Sequence, residues 1–230
     1  MDILLNFAEK GHFGCSMKCP FCLWNEIDYG QYWCPDDADL DRCIEVSPHV
    51  IKLSGGGDPL FNFKHNQEKL KHIVHYLTAR GIRVGIYTHD IGTLDTYRHI
   101  LSKWPVFLVV SVSKLFSKLE QEVCDYYYNT GQLRRLSVIW NENNTDEPPY
   151  NGVDHVIDYC QKHPKLSLTI REHWKFYYTP DVEQQMSQYV KQFRSVGFVP
   201  SSRPLHFRVM FEGKITTCAE IDKTILGLQK

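Results

Sequence analysis

Residues 106–110 read Val-Phe-Leu-Val-Val, five positions with no polar member. A strand with one face in water alternates apolar and polar side chains. A run without alternation fits a strand covered on both faces, as in a parallel sheet between helices. The flanking chain can supply those helices. Leu70, Ile73, Val74 and Leu77 recur at helical spacing, and Gly81 directly after Arg80 provides a stop. Strand signals fall at residues 3–7, 50–53, 83–87, 106–112, 136–140 and 166–170, and helical stretches at 37–46, 67–80, 93–103, 114–128, 152–162 and 181–195. Six βα units in series imply parallel strands joined by right-handed crossovers. They fall short of the eight in a full barrel, so the expected fold is α/β, an open, partial (β/α)6 TIM-like barrel. Residues 206–211 and 215–218 flank Glu212-Gly213-Lys214 and predict a C-terminal β-hairpin.

No repeat, low-complexity tract or Pro/Gly/Ser linker divides the 230 residues. They suit a single domain over 1–230, with a core barrel over about 1–200 and a hairpin tail over 201–230. A composition 43% hydrophobic and 23% charged, with formal net charge −1, makes no general electrostatic case for nucleic acid or a membrane surface. Asp2 stands where a secretory leader needs basic residues, and no run approaches the roughly 20 apolar residues of a spanning helix. The expectation is a cytoplasmic protein with no membrane partner.

Eight cysteines are many for such a chain. Disulfide frameworks belong to small secreted domains with weak cores; in a reducing compartment, crowded cysteines point to metal or redox chemistry. Three of the eight lie in Gly14-Cys15-Ser16-Met17-Lys18-Cys19-Pro20-Phe21-Cys22, a C-x3-C-x2-C spacing just after the first strand. That is the C-terminal mouth, where parallel-barrel chemistry sits. Three thiolates on one loop can bind three irons of a cubane and leave the fourth open, and soft sulfur ligands favour iron–sulfur clusters or zinc. A zinc site on the same cysteines would take His12 or Cys34 as fourth ligand, although zinc ligands usually come as paired Cys or Cys/His sets.

With the aromatic Phe21 before its third cysteine, this motif resembles that of the radical S-adenosylmethionine (radical SAM) superfamily. The resemblance implies a [4Fe-4S] cluster on Cys15, Cys19 and Cys22, its open iron chelated by the amino and carboxylate groups of S-adenosyl-L-methionine. It also implies that one electron from the reduced cluster breaks the S–C5′ bond, leaving methionine and a 5′-deoxyadenosyl radical that abstracts hydrogen from substrate. Phe21 would pack near the adenine. The second strand ends in Ser54-Gly55-Gly56-Gly57-Asp58-Pro59, where glycines let a ligand approach the backbone closely. This is similar to the family's glycine-rich motif, usually Gly-Gly-Glu-Pro, which contacts the cofactor's amino group. Gly55, Gly56, Gly57 and Asp58 are the matching positions.

Tyr87-Thr88-His89-Asp90 ends the third strand, where many relatives carry Thr-Asn-Gly, and His89 is a candidate substrate contact. Ser111 and Ser113 end the fourth strand, Trp140-Asn141 the fifth, and Arg171 lies on the sixth. The resemblance makes Ser111, Ser113, Asn141 and Arg171 candidate cofactor contacts, with Arg171 suited to the carboxylate. The likeness is tight over residues 15–22 and 55–59 and loose to about residue 175.

Cys34, Cys43, Cys124, Cys160 and Cys218 are scattered and read as small apolar residues, because a second cluster needs three or four convergent ligands. Residues 23–36, with Trp24, Tyr29, Tyr32 and Trp33, form an aromatic-rich insertion: a lid or substrate wall, or a surface loop packed on itself. The resemblance then implies an enzyme acting on a small molecule or nucleotide, including a base within nucleic acid, and served by a reductant such as flavodoxin or ferredoxin. Two other functions stand beside it: an activase that takes hydrogen from a glycine of a partner enzyme, and a non-catalytic, zinc-stabilised binding module. No side chain is singled out as hydrogen donor or radical relay.

Overall fold

The computed structural model describes residues 2–5, 15, 35–54, 57–113, 115–139, 153–171, 184, 196–199, 208–211 and 214–217. The elements are β1 (Asp2–Leu5), α1 (Asp37–Glu45), β2 (Val50–Leu53), α2 (Phe63–Thr78), β3 (Arg83–Thr88), α3 (Ile91–Thr96), α4 (Arg98–Leu101), β4 (Val106–Ser111), α5 (Lys118–Asn129), β5 (Leu133–Ile139), α6 (Asp154–Lys162), β6 (Ser167–Arg171), β7 (Val196–Val199), β8 (Arg208–Phe211) and β9 (Lys214–Thr217). The chain falls into two compact units, Met1–Phe107 with Pro204–Lys230, and Leu108–Arg203.

In the first unit the strand order is β3-β2-β1-β8-β9. Strands β1, β2 and β3 are parallel and in step: Leu5 pairs with Leu53, and Leu53 with Ile86. The expected hairpin is present, with Phe211 opposite Lys214, and its first strand joins the parallel sheet with Ile3 beside Arg208. Helix α2 supplies much of the core. Leu70, Ile73, Val74 and Leu77 are 1% exposed or less, each contributing about 2 kcal/mol of apolar burial. Burial also explains why α2 starts at Phe63, a turn earlier than its periodicity predicts. The Phe63 ring is buried against Tyr97 and Trp104, at centroid distances of 4.9 and 5.6 Å, and Asn62 takes the left-handed conformation that Asn tolerates.

Residues 93–103 are expected as one helix, but two short ones form, α3 and α4, parted at Tyr97. Asp90 caps the first: its Oδ1 accepts from Thr93 N–H at 2.9 Å and its Oδ2 from the Thr93 hydroxyl at 2.9 Å. Gly85 on β3 lies under the Phe107 ring, and a Cβ there would stand inside the ring's van der Waals radius. Glycine is what admits that approach.

In the second unit β7-β6-β5-β4 are all parallel. Leu108, Val109 and Val110 are each 2% exposed or less, so the unbroken apolar run is covered on both faces as its composition predicts. Helix α5 begins at Lys118 rather than at residue 114, because Phe116 holds a positive φ and Ser117 is the cap. The Phe116 ring is buried edge-on to Tyr159 at 4.9 Å. Strand β7 is not foreseen by the sequence reading, and the helix expected over 181–195 lies outside the described residues apart from Gln184. The fold is thus α/β with parallel strands. Among the described residues strands β7 and β9 each pair on one side only, so neither run of strands is closed. Among the described residues no helix is long and apolar enough to cross a membrane.

Candidate functional site

Because β1, β2 and β3 are parallel and in register, the segments leaving their C-terminal ends start at a common level. Cys15 follows β1, Gly57 and Asp58 follow β2, and Thr88 to Asp90 close β3. The side chains meet there. Gly57 has φ 143°, a backbone state that side-chain-bearing residues rarely adopt, so the turn into Asp58 requires glycine at this position.

Asp58 is buried and accepts in each of its hydrogen bonds. Its Oδ1 takes the Leu60 N–H at 2.9 Å and the Thr88 hydroxyl at 2.7 Å; its Oδ2 takes the same hydroxyl at 2.9 Å and the His89 N–H at 2.8 Å. Thr88 Oγ1 in turn accepts from Asp90 N–H at 3.0 Å. One carboxylate therefore shapes the β2 turn and ties it to the end of β3. Burial pushes the Asp58 carboxyl above its ordinary pKa, while the His89 charge and the hydrogen bonds from Thr88, His89 and Leu60 pull it down.

His89 brings the third strand end into the group. Its Nε2 lies 3.2 Å from Cys15 Sγ and 3.8 Å from Asp58 Oδ2. Sulfur and carboxylate thus face the same ring nitrogen. A thiol nucleophile activated by a His–Asp pair needs the carboxylate on the opposite nitrogen, so this is not the geometry of such a triad. Cys15 is half-buried, unlike Cys43, Cys124 and Cys160, which are packed within α1, α5 and α6. Burial pushes the thiols of Cys43 and Cys160 up to about 12, and that of Cys124 upward as well. These three are core residues, inert as ligands.

Of the sequence-predicted site residues, Cys15, Gly57, Asp58 and His89 come together here. Cys19, Cys22, Phe21, Gly55, Gly56 and Asn141 lie outside the described residues, as do His12, Cys34 and Cys218. Among the described residues no group of three or more His, Cys, Asp or Glu side chains stands ready for a metal ion. In the second unit Ser111 ends β4 paired with Ser137, and the backbone of Arg171 ends β6 paired with Ile139 and Val199. Ser113 is engaged locally: its N–H and hydroxyl both donate to the Glu120 carboxylate, at 2.7 and 2.9 Å.

The sequence reading missed Thr88 as an anchor and the contact between His89 and Cys15. The available signal was position, since polar residues at the C-terminal ends of parallel strands line such sites. The chain matches no protein-family model and no curated protein.

Proposed function

We propose that this chain is a radical SAM enzyme, its parallel strands part of an open (β/α)6 barrel. The observation that carries the reading is the C-x3-C-x2-C spacing, with the Cys15 thiol beside the Gly57–Asp58 turn and the end of β3. The donor chemistry fits the group: Cys15 is a half-buried soft sulfur at a strand end, where a cluster can reach it, whereas the other described cysteines are sealed in the core. Cys15, Cys19 and Cys22 would hold the [4Fe-4S] cluster. Gly55, Gly56 and Gly57 would present backbone to the amino group of S-adenosyl-L-methionine, with Asp58 fixing the turn they belong to. When bound, the cluster supplies the electron that cleaves S-adenosyl-L-methionine reductively. Ser111, Asn141 and Arg171 are the further cofactor contacts of this reading, with Phe21 against the adenine. Ser113 belongs with them only if its hydroxyl leaves Glu120. The substrate is a small molecule or nucleotide, with flavodoxin or ferredoxin as reductant in the cytoplasm.

The test is anaerobic reconstitution with iron and sulfide, then dithionite and S-adenosyl-L-methionine, with 5′-deoxyadenosine scored by mass. Wild type is expected to form it and Cys19→Ala to form none.

One observation favours a second reading. Two ligands on a tetrahedral zinc, one sulfur and one nitrogen, stand about 3.5 Å apart, close to the 3.2 Å between Cys15 Sγ and His89 Nε2. A zinc site of three cysteines and His89 would make the chain a binding module. A colourless protein holding one zinc and no iron after reconstitution would decide for it.

A further inference from the structure

Resting on the radical SAM reading, we infer that His89 is a positioning residue for the cluster: it donates its Nε2–H to Cys15 Sγ and thereby raises the cluster's reduction potential. The contact is 3.2 Å, within range of an N–H···S hydrogen bond. Two acceptors, the Cys15 sulfur and Asp58 Oδ2, face the same nitrogen at 3.2 and 3.8 Å. A cluster-bound thiolate accepts only, so the proton belongs on Nε2.

The backbone that carries the ring is anchored. The His89 main-chain N–H donates to the buried Asp58 carboxylate at 2.8 Å, and the Thr88 hydroxyl one residue earlier donates to the same carboxylate. The imidazole is 26% exposed, so most of its surface is sheltered. A donor fixed in this way costs little ordering when the sulfur gains charge. Hydrogen bonds to cluster sulfurs offset the negative charge added on reduction, which favours the reduced state. The effect acts through Cys15.

The experiment compares reconstituted wild type, His89→Leu and His89→Gln, the last retaining an N–H at similar reach. Iron and sulfide content is measured first, then the midpoint potential by redox titration followed by electron paramagnetic resonance. The expected result is a more negative potential in His89→Leu, with most of the shift recovered in His89→Gln. Equal potentials in loaded wild type and His89→Leu would overturn the inference and leave the cluster reading intact. Should His89→Leu fail to take up iron, wild type labelled with 15N-histidine decides by pulsed electron–nuclear spectroscopy. A weak nitrogen coupling to the reduced cluster, absent from His89→Gln, supports the hydrogen bond. No coupling, or the strong coupling of a nitrogen bound to iron, overturns it. Wild type that takes up zinc but no iron removes the cluster reading itself, and the inference with it.

Discussion

The hydroxyl of Thr88 reaches both oxygens of Asp58, at 2.7 and 2.9 Å, across thirty positions of sequence. It is a side chain at one strand end satisfying a buried charge-bearing group at the next. Thr88→Val keeps the shape and removes the donor. It also removes the acceptor for Asp90 N–H. The expected loss of stability is about 2–3 kcal/mol, read by urea unfolding, with Thr88→Ser losing much less. Equal stability of wild type and Thr88→Val would show that water substitutes for the hydroxyl.

Gly57 holds a backbone state, at φ 143°, that only glycine adopts readily. Gly57→Ala is expected to cost about 1–3 kcal/mol in unfolding experiments, because the methyl strains the turn or the turn relaxes. If the turn relaxes, Asp58 loses its register with Thr88 and His89, and the 5′-deoxyadenosine formation expected on the proposed radical SAM reading falls more than stability alone accounts for.

Helix α5 begins with a reciprocal pair: Ser117 Oγ accepts from Glu120 N–H at 3.3 Å, and Glu120 Oε2 accepts from Ser117 N–H at 2.6 Å. Ser117→Ala is expected to cost about 1 kcal/mol. Glu120→Ala should cost more, about 2–4 kcal/mol, since it also strips the Ser113 N–H and hydroxyl of their partner. Thermal unfolding followed by circular dichroism orders the two variants.

The buried thiols give a pH dependence of known sign. Cys43 and Cys160 have folded-state values near 12, above the roughly 8.5 of an unfolded thiol. A raised thiol contributes stability that is fully present below the unfolded value and is lost as pH rises through the folded one. Unfolding free energy should therefore fall between about pH 8.5 and 12, less steeply in Cys43→Ala. Burial holds these thiols protonated at pH 8, so iodoacetamide should label Cys43, Cys124 and Cys160 only after unfolding, as read by peptide mass.

What could be read from the sequence was what neighbouring residues decide among themselves. The stripe Leu70, Ile73, Val74 and Leu77 announces its helix, the unbroken run into Val110 announces a doubly covered strand, and residues 206–218 announce a hairpin. Distant partners set the rest. Phe63 extends α2 because Tyr97 and Trp104 wait for its ring. Nothing near Arg208 says that it will lie beside Ile3. The candidate site divides the same way. Cys15, Gly57 and Asp58 stand out by spacing and composition, whereas the approach of His89 to Cys15, seventy-four positions away, follows from the register of three strands.

The ring of Phe107 resting on Gly85 makes these two positions a single unit of variation. A lineage that acquires any side chain at 85 must first shrink or redirect the aromatic at 107, while one that keeps the aromatic is held to glycine. Among descendants of this chain the pair should change together or stay as it is, an imprint of packing on ancestry rather than of chemistry.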